Sequence, residues 1–323
     1  GLVREHNEDN FMIAELSNES GPLPGDETLT GKVSDRGFAL AVCDGMGGAA
    51  AGEVASQMAV ETVRDRLNSS DGEGDGSSLD DLVDSITDAN TAIFDDATHD
   101  PNRAGMGTTV TAIAVVADPL DGEVFGIANV GDSRTYVLRH GRLRQLTIDH
   151  SFVQELVAEG AITRDEARTH PRRNIVTRAL GIEPHVRVDS WTMPIIRGDR
   201  LVLCSDGLVD EITDDAITAI LNEHVDDPEA AAQALVDAAN DAGGRDNITV
   251  VVVDVHAGDD PPDPTDEFDV IPLWSDDELD RTGETENVAD PTDDDLAELA
   301  DVTSAARAGV AADAEADAGS ATD

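Results

Sequence analysis

Four short acidic motifs are spread along this chain, and each adjoins an apolar run whose length suits a buried strand. In chain order the acids are Glu8 with Asp9, Asp44, Asp206 and Asp246, and the runs beside them are 11–13, 38–43, 201–204 and 248–253. A carboxylate beside a buried strand end is costly unless positive charge compensates it. No Lys or Arg lies inside the motifs, so their residue types predict binding of divalent cations.

The order of acids and strands predicts how the motifs come together. Asp44 and Asp206 follow their strands, whereas Asp9 and Asp246 precede theirs. Antiparallel neighbours run in opposite directions, so the end of one strand lies beside the start of the next. We therefore expect the acids at one edge of a sheet, where oxygen ligands of this kind favour Mg²⁺ or Mn²⁺.

The amino-acid composition indicates in which solvent the protein works and which kinds of partner it can bind. The chain has 323 residues and a formal net charge of -48, and Lys32 is the single lysine among its 21 basic residues. Apolar residues make up 40% of the chain in clear strand and helix patterns, which favours a folded protein over a disordered acidic one. We interpret the charge as adaptation to molar salt, which screens self-repulsion. The charge disfavours nucleic acid as a partner, because nucleic-acid binding needs clustered basic residues.

The two cysteines and the hydropathy indicate a compartment. Cys43 and Cys204 each lie inside an apolar run, which predicts buried thiols in a reducing compartment, the cytoplasm, and no disulfide framework or zinc site. No apolar stretch reaches the ~18 residues of a membrane span, and no signal peptide is visible. The chain begins at Gly1, without Met and close to the first motif, so we expect N-terminal residues to be missing, which could remove an edge strand.

Strand and helix patterns alternate in blocks and not as βαβ units. Strands are predicted at 10–16, 37–43, 107–117, 122–130, 133–139, 142–147, 174–180, 185–193, 200–204 and 247–255. Helices are predicted after Gly52, from Ser78, twice within 151–170, and at 213–222 and 228–241. The four strands within 107–147 predict a meander, and the blocks predict packed sheets with helices outside.

The composition changes beyond residue 256. Residues 257–323 contain 22 acids but only Arg281 and Arg307 as basic residues. This predicts one folded domain at 1–256 followed by an acidic, largely disordered tail at 257–323.

Eight motifs, in this order, resemble those of one family: the PPM, or protein phosphatase 2C-type, metal-dependent Ser/Thr protein phosphatases, in their bacterial and archaeal style. The motifs are 1–10 (GLVREHNEDN), 44–48 (DGMGG), 105–109 (GMGTT), 129–134 (NVGDSR), 146–151 (LTIDHS), 177–181 (TRALG), 204–208 (CSDGL) and 244–250 (GRDNITV). Each is weak alone, but eight in family order over 1–256 are specific. The resemblance implies the α+β class, as a four-layer α-β-β-α sandwich of two antiparallel sheets flanked by helices.

The resemblance also implies a ligand set at one edge of the sheets. Asp44 would bridge two Mg²⁺ or Mn²⁺ ions, and the Gly45 carbonyl would bind one of them. Asp206 and Asp246 would bind the other ion. Family members of the bacterial type often carry a third, weaker metal, for which Asp132 and Asp206 would be ligands, near a flap.

Three residues near the N-terminus complete the implied site. Glu8 and Asp9 would contact the metals directly or through water, and Arg4 would clamp the substrate phosphate bidentately. One position departs from the family, since some members have His where this chain has Met46. Met cannot donate a proton, so we hypothesise that water held at the metals protonates the leaving group.

Simpler interpretations stay open at several positions. Asp132 also fits a turn with Asx bonding, and the strand-end aspartates fit helix capping or turn chemistry. Asn247 is expected to hold a loop, and not to touch substrate. Asp149 and His150 are interpreted as flap-hinge or hydrogen-bonding residues, because they directly precede the segment to which the flap maps, residues 151–173.

The activity that the resemblance implies is hydrolysis of phosphoserine and phosphothreonine in proteins by a metal-activated water at a binuclear centre. The resemblance implies phosphorylated proteins as its partners, together with a Ser/Thr kinase that phosphorylates them. The expected oligomeric state is a monomer. One alternative is a catalytically silent regulatory binding module, and another is a two-metal small-molecule phosphatase. A Ca²⁺-binding loop is disfavoured because the carboxylates do not fall within 12 residues.

Overall fold

A computed structural model describes residues 1–16, 37–69, 77–118, 120 and 122–263 of the chain. Sequence composition rich in Gly, Pro, Asp and Ser predicts a loop at 17–36 and a polar linker at 68–77. The loop, most of the linker and the acidic tail from residue 264 onward lie outside the described residues.

The described residues contain ten strands and seven α-helices. The strands are β1 (Asp9–Glu15), β2 (Phe38–Met46), β3 (Gly107–Thr108), β4 (Val110–Asp118), β5 (Gly122–Val130), β6 (Arg134–Arg139), β7 (Arg142–Gln145), β8 (Asp189–Pro194), β9 (Arg200–Cys204) and β10 (Val250–Asp254). The helices are α1 (Ala49–Ser69), α2 (Leu79–His99), α3 (Phe152–Ala158), α4 (Arg164–Arg168), α5 (Asp206–Val209), α6 (Asp214–Glu223) and α7 (Pro228–Ala242).

The strands form two antiparallel sheets. The first has the order β1-β2-β4-β5-β8, with short β3 paired to β2, and the second has the order β10-β9-β6-β7. Helices α1 and α2 share a buried cluster with the first sheet, and α5 to α7 share one with the second. A third apolar cluster fills the space between the sheets. The predicted four-layer α-β-β-α sandwich is therefore confirmed.

The alternation along β2 builds both faces of the first sheet. Ala39, Ala41 and Cys43 belong to the cluster shared with α1 and α2, whereas Leu40 and Val42 belong to the cluster between the sheets. Successive side chains of a strand point to opposite faces, so a continuous apolar run serves two cores. The small residues lie on the helix side, where they let α1 approach the sheet.

Capping residues fix where two helices begin. Ser78 accepts a hydrogen bond from the amide of Asp81, whose side chain accepts from the Ser78 amide. Thr163 and Glu166 make the same reciprocal pair at α4, as their spacing predicts. Among the described helices none is long and apolar enough to cross a membrane.

The predicted meander is wrong because the chain changes sheets after β5. The β4–β5 hairpin lies in the first sheet and the β6–β7 hairpin in the second. Gly131 permits the crossing, since its φ is 106° and a Cβ there would lie 2.6 Å from the Thr109 side chain. The hydroxyls of Thr109 and Ser133, and those of Thr111 and Thr135, then meet across the sheets at 2.7 Å.

Two other element predictions need correction. Residues 174–180 form no strand but two isolated bridges, Val176 with Ser151 and Leu180 with Thr108. The segment pairs first with Ser151 and then with Thr108, so neither neighbour runs beside it for the length of a strand. The four-residue helix α5 was not predicted, because one turn carries no periodic signal.

Candidate active site

The strand registers bring the predicted acids to one end of the sandwich. Asp9 lies directly opposite Asp44 in the pairing of β1 with β2. In the second sheet Val250 pairs with Cys204, so Asp206 and Asp246 lie just beyond the paired ends of β9 and β10. The expectation of a shared edge is met, with two acids from each sheet.

Asp9 ties the two sheets together. Its Oδ2 accepts hydrogen bonds from Ser205 Oγ at 2.8 Å and from Thr249 Oγ1 at 2.7 Å, both from the second sheet. Its Oδ1 is buried and has no hydrogen-bond partner. Burial raises the pKa of Asp9, although the two hydroxyls oppose that shift. One oxygen is thus held in place while the other is left for a ligand.

Asp44 and Asp206 form the centre of the cluster, and each side chain perturbs the pKa of the other. Burial raises the pKa of Asp44 well above its ordinary value, and the charges of Asp206, Asp9 and Asp132 raise it further. Burial likewise raises the pKa of Asp206, helped by the negative charges of Asp132 and Asp210. Asp206 Oδ1 is also buried without a hydrogen-bond partner.

Asp132 lies at the sheet crossing, and its side chain is buried. Burial raises its pKa to about 7, and the nearby charge of Asp149 contributes to the shift. Its charge reaches both Asp44 and Asp206. The structure therefore brings Asp132 to the cluster, as the resemblance implies.

The backbone around Gly45 is packed against the N-terminal segment. The Gly45 amide donates to the Glu8 carbonyl at 3.2 Å. A Cβ at Gly45 would lie 2.1 Å from the carbonyl oxygen of Gly52 and 2.6 Å from that of Glu8, so only glycine fits. Burial raises the pKa of the neighbouring Glu8 carboxyl. Gly45 and Glu8 thus lie together beside the cluster.

Asn247 holds the N-terminal segment in place, which confirms its predicted role. Its Oδ1 accepts from the Glu8 amide at 3.0 Å, and its Nδ2 donates to the His6 carbonyl at 3.0 Å. Arg4 Nη2 donates to Asp246 Oδ2 at 2.8 Å, and half of the Arg4 side chain is exposed. Arg4 therefore lies at the solvent side of the cluster, within reach of an incoming anion.

A frame of buried hydrogen bonds supports the Asp132 turn. Arg134 makes a bidentate pair with Asp149, with Nε–Oδ1 at 2.9 Å and Nη2–Oδ2 at 2.6 Å. His150 Nδ1 accepts from the Gly131 amide at 2.9 Å, while its Nε2 lies 2.8 Å from Asp189 Oδ2. The hydrogen-bonding interpretation of Asp149 and His150 is confirmed.

Sequence reasoning assigned no role to Ser205, Thr249 and Arg134, although each lies inside a quoted motif. Their partners are 196, 240 and 15 residues away in sequence. The one sequence signal for these supporting residues is their position within the motifs, close to the acids.

The donor set suits hard cations that keep water ligands. The carboxylates of the cluster repel one another, and two of their buried oxygens have no hydrogen-bond partner. A bound cation would stabilise such an arrangement. Within the described ranges, no group of three or more His, Cys, Asp or Glu side chains is arranged to hold an ion unaided. Mg²⁺ is commonly bound by one or two carboxylates and several waters, so these residues fit Mg²⁺ or Mn²⁺.

Fold and site together define an α-β-β-α sandwich with a carboxylate centre where its two sheets end. A sequence profile of the protein phosphatase 2C family matches residues 18–240. The serine/threonine phosphatase stp of Listeria monocytogenes is 38% identical over 255 residues, which cover 79% of this chain and 92% of that protein. The chain belongs to the protein phosphatase 2C family.

Other relatives agree. The serine/threonine protein phosphatase PstP of Mycobacterium tuberculosis is 43% identical over 217 residues, covering 67% of this chain but only 40% of that longer protein. The crystal structure of the PPM Ser-Thr phosphatase MsPP from Mycobacterium smegmatis has a TM-score of 0.64 at 37% identity, covering 79% of this chain and 94% of that one. The crystal structure of the PstP catalytic domain with two manganese ions has a TM-score of 0.61 at 38% identity. The match covers 80% of this chain and 95% of that one.

Proposed function

We propose that this chain is a Mg²⁺- or Mn²⁺-dependent protein phosphatase that hydrolyses phosphoserine and phosphothreonine. The observation that carries the proposal is the Asp44–Asp206 pair with Asp9 and Asp132, a cluster whose repulsion a cation relieves. Family membership and the manganese-bound structure of the PstP domain support it.

The residues that would bind the ions come from both sheets. Asp44 would contact two ions, with the Gly45 carbonyl on one and Asp206 and Asp246 on the other. Asp132 and Asp206 would hold a third. When bound, such ions polarise phosphoryl oxygens and lower the pKa of a water molecule, which makes it a nucleophile at neutral pH.

The protein's own groups orient the reactants. Asp9, fixed by the hydroxyls of Ser205 and Thr249, holds its free oxygen in the cluster, where it can align a ligand or a water. Arg4 would release Asp246 and donate two hydrogen bonds to the substrate phosphate, since its guanidinium is exposed and planar. Glu8 would contact the ions through water.

The test is phosphate release from a phosphothreonine peptide in molar KCl with Mn²⁺ or Mg²⁺. Chelator-sensitive turnover by the wild type, and its near-complete loss in Asp206→Asn, is the expected result. Asp237→Asn, the same change at an exposed position of α7, should keep full activity. Metal binding without turnover would favour the silent binding module, and turnover of small esters alone would favour the small-molecule phosphatase.

Three further features of the biology belong to this proposal. A Ser/Thr kinase must supply the phosphoproteins, because only a phosphorylated hydroxyl is a substrate. A cytoplasmic location is supported by Cys43 and Cys204, which are both free and buried. A monomer is part of the proposal, and light scattering after gel filtration would test it.

A further inference from the structure

Arginines are concentrated in two stretches of this acidic chain. Residues 134–144 contain four arginines and no acid, and residues 164–187 contain six arginines and three acids, Asp165, Glu166 and Glu183. The first stretch runs away from the acid cluster along β6 and β7. The second lies beside it.

Two contacts fasten the second stretch next to the cluster. Arg168 Nη2 donates to the Ile212 carbonyl at 3.2 Å, and Arg173 Nε lies 3.4 Å from Asp210 Oδ2. Asp210 and Ile212 directly follow α5, whose first residue is Asp206. The arginine stretch therefore borders the segment that carries a central acid of the site.

Three arginines on this border are exposed and form no salt bridge with a carboxylate among the described residues, although the charge of Arg168 reaches Asp210. They are Arg164 and Arg168, four residues apart on α4, and Arg172. The Arg172 guanidinium lies over the Phe152 ring at 5.5 Å, and Arg168 bonds only a carbonyl. The same helix also carries the negative charges of Asp165 and Glu166. The Glu166 carboxylate accepts hydrogen bonds from Thr163, and neither acid forms an ion pair with the three arginines.

We propose that Arg164, Arg168 and Arg172 form a subsite for an acidic segment of the protein substrate next to its phosphorylated residue. This inference rests on the proposed function. A protein of net charge -48 repels acidic chains at long range, so binding one needs a local patch of the opposite sign. Arg suits the task because its guanidinium pairs bidentately with carboxylate or phosphate.

The substrate preference follows from these charges. Exposed ion pairs contribute modestly each, so three arginines should favour an acidic peptide by about threefold to tenfold in kcat/KM at low salt. Salt screens such contacts, so the preference should shrink as KCl rises from about 0.1 M to 1 M.

The test compares two phosphothreonine peptides that differ only in having Glu or Gln on both sides of the phosphothreonine. The ratio of their kcat/KM values is measured for the wild type and for Arg164→Gln/Arg168→Gln/Arg172→Gln. The ratio should fall to about one in the triple variant. The matched control is Arg142→Gln, because Arg142 is exposed and lies roughly 17 Å along β6 from the cluster end of the second sheet. It should keep the wild-type ratio.

The outcomes separate this inference from the proposed function. Equal hydrolysis of both peptides by the wild type, or an undiminished preference in the triple variant, would overturn the subsite alone. Absence of hydrolysis of either peptide with Mn²⁺ would overturn the proposed function and the subsite with it. If loss of the Arg172–Phe152 contact unfolds the triple variant, Arg164→Glu replaces it, because Arg164 is exposed and should by itself lower the ratio.

Discussion

Ser205 at the end of β9 donates a 2.8 Å hydrogen bond to Asp9 on β1, and this bond links the second sheet to the first. Thr249 Oγ1 donates to the same carboxylate oxygen, and the Thr249 amide donates to Ser205 Oγ at 3.0 Å. The free oxygen of Asp9 is buried without a partner. The two hydroxyls therefore set the direction in which Asp9 can meet a cation.

Ser205→Ala tests this relationship. Removal of one of the two hydroxyls should let Asp9 rotate, and loss of such supporting bonds typically weakens metal affinity about tenfold or more. The cost in folding stability should stay near 1 kcal/mol. Calorimetric titration with Mn²⁺ and urea unfolding measure the two effects. Ser190→Ala, at an exposed position of β8, is the control. An unchanged Mn²⁺ affinity would mean that Asp9 does not take part in metal binding.

Asp206→Asn should have opposite effects with and without metal. In the metal-free protein it removes a carboxylate that repels Asp44 and Asp132, so Tm should rise. Mn²⁺ at 100 times Kd should stabilise the wild type by about 2.7 kcal/mol and the variant by much less. Thermal melts with chelator and with Mn²⁺ measure both, with Asp237→Asn as the control. A lower metal-free Tm in Asp206→Asn would show that the carboxylates do not destabilise one another.

The positions of the acids at strand ends could be predicted from the sequence, but the residues that hold their side chains in place could not. Apolar runs with acids at their ends reflect strand geometry, which acts locally, so Asp44 and Asp206 could be assigned to strand ends from the sequence. The Asp9–Ser205 bond joins residues 196 apart, and nothing local distinguishes that serine from one that caps α5. Sequence spacing also could not show the sheet change at Gly131, because a tight turn within one sheet has the same signature.

Glu211 and Arg245 make stability depend on pH. Glu211 accepts from the Arg245 amide at 3.0 Å and from its Nε at 2.8 Å, and these bonds lower the pKa of the Glu211 carboxyl. A carboxyl whose pKa is depressed by folding stabilises the protein above its unfolded-state pKa, and this contribution is lost as the pH falls through the folded-state value.

Glu211→Gln should therefore destabilise the protein at pH 7 by less than about 1 kcal/mol, since Arg245 is largely exposed. The difference from the wild type should disappear in acid, below the depressed pKa of Glu211. Urea midpoints from pH 7 down to pH 3 measure it. Glu61→Gln, at an exposed position of α1, should show no such convergence. A difference that stays constant over this range would exclude a contribution from the charge of Glu211.

Met46 lies two residues after Asp44 on β2, so both side chains are on the same face of the strand. A proton donor at position 46 would therefore be on the cluster side, and Met cannot supply one. Met46→His should raise kcat several-fold on phosphothreonine peptides, whose alkoxide leaving group needs protonation, because a placed imidazole is an effective general acid near neutral pH.

Hydrolysis of p-nitrophenyl phosphate should be much less affected, because its leaving group departs without a proton. Parallel kcat measurements on the two substrates give the comparison, and Met46→Gln, which does not titrate, controls for the loss of the thioether. If Met46→His changed neither rate, the result would count against the hypothesis that water held at the metals protonates the leaving group. If it raised both rates equally, the gain would come from a rearranged site and not from proton donation.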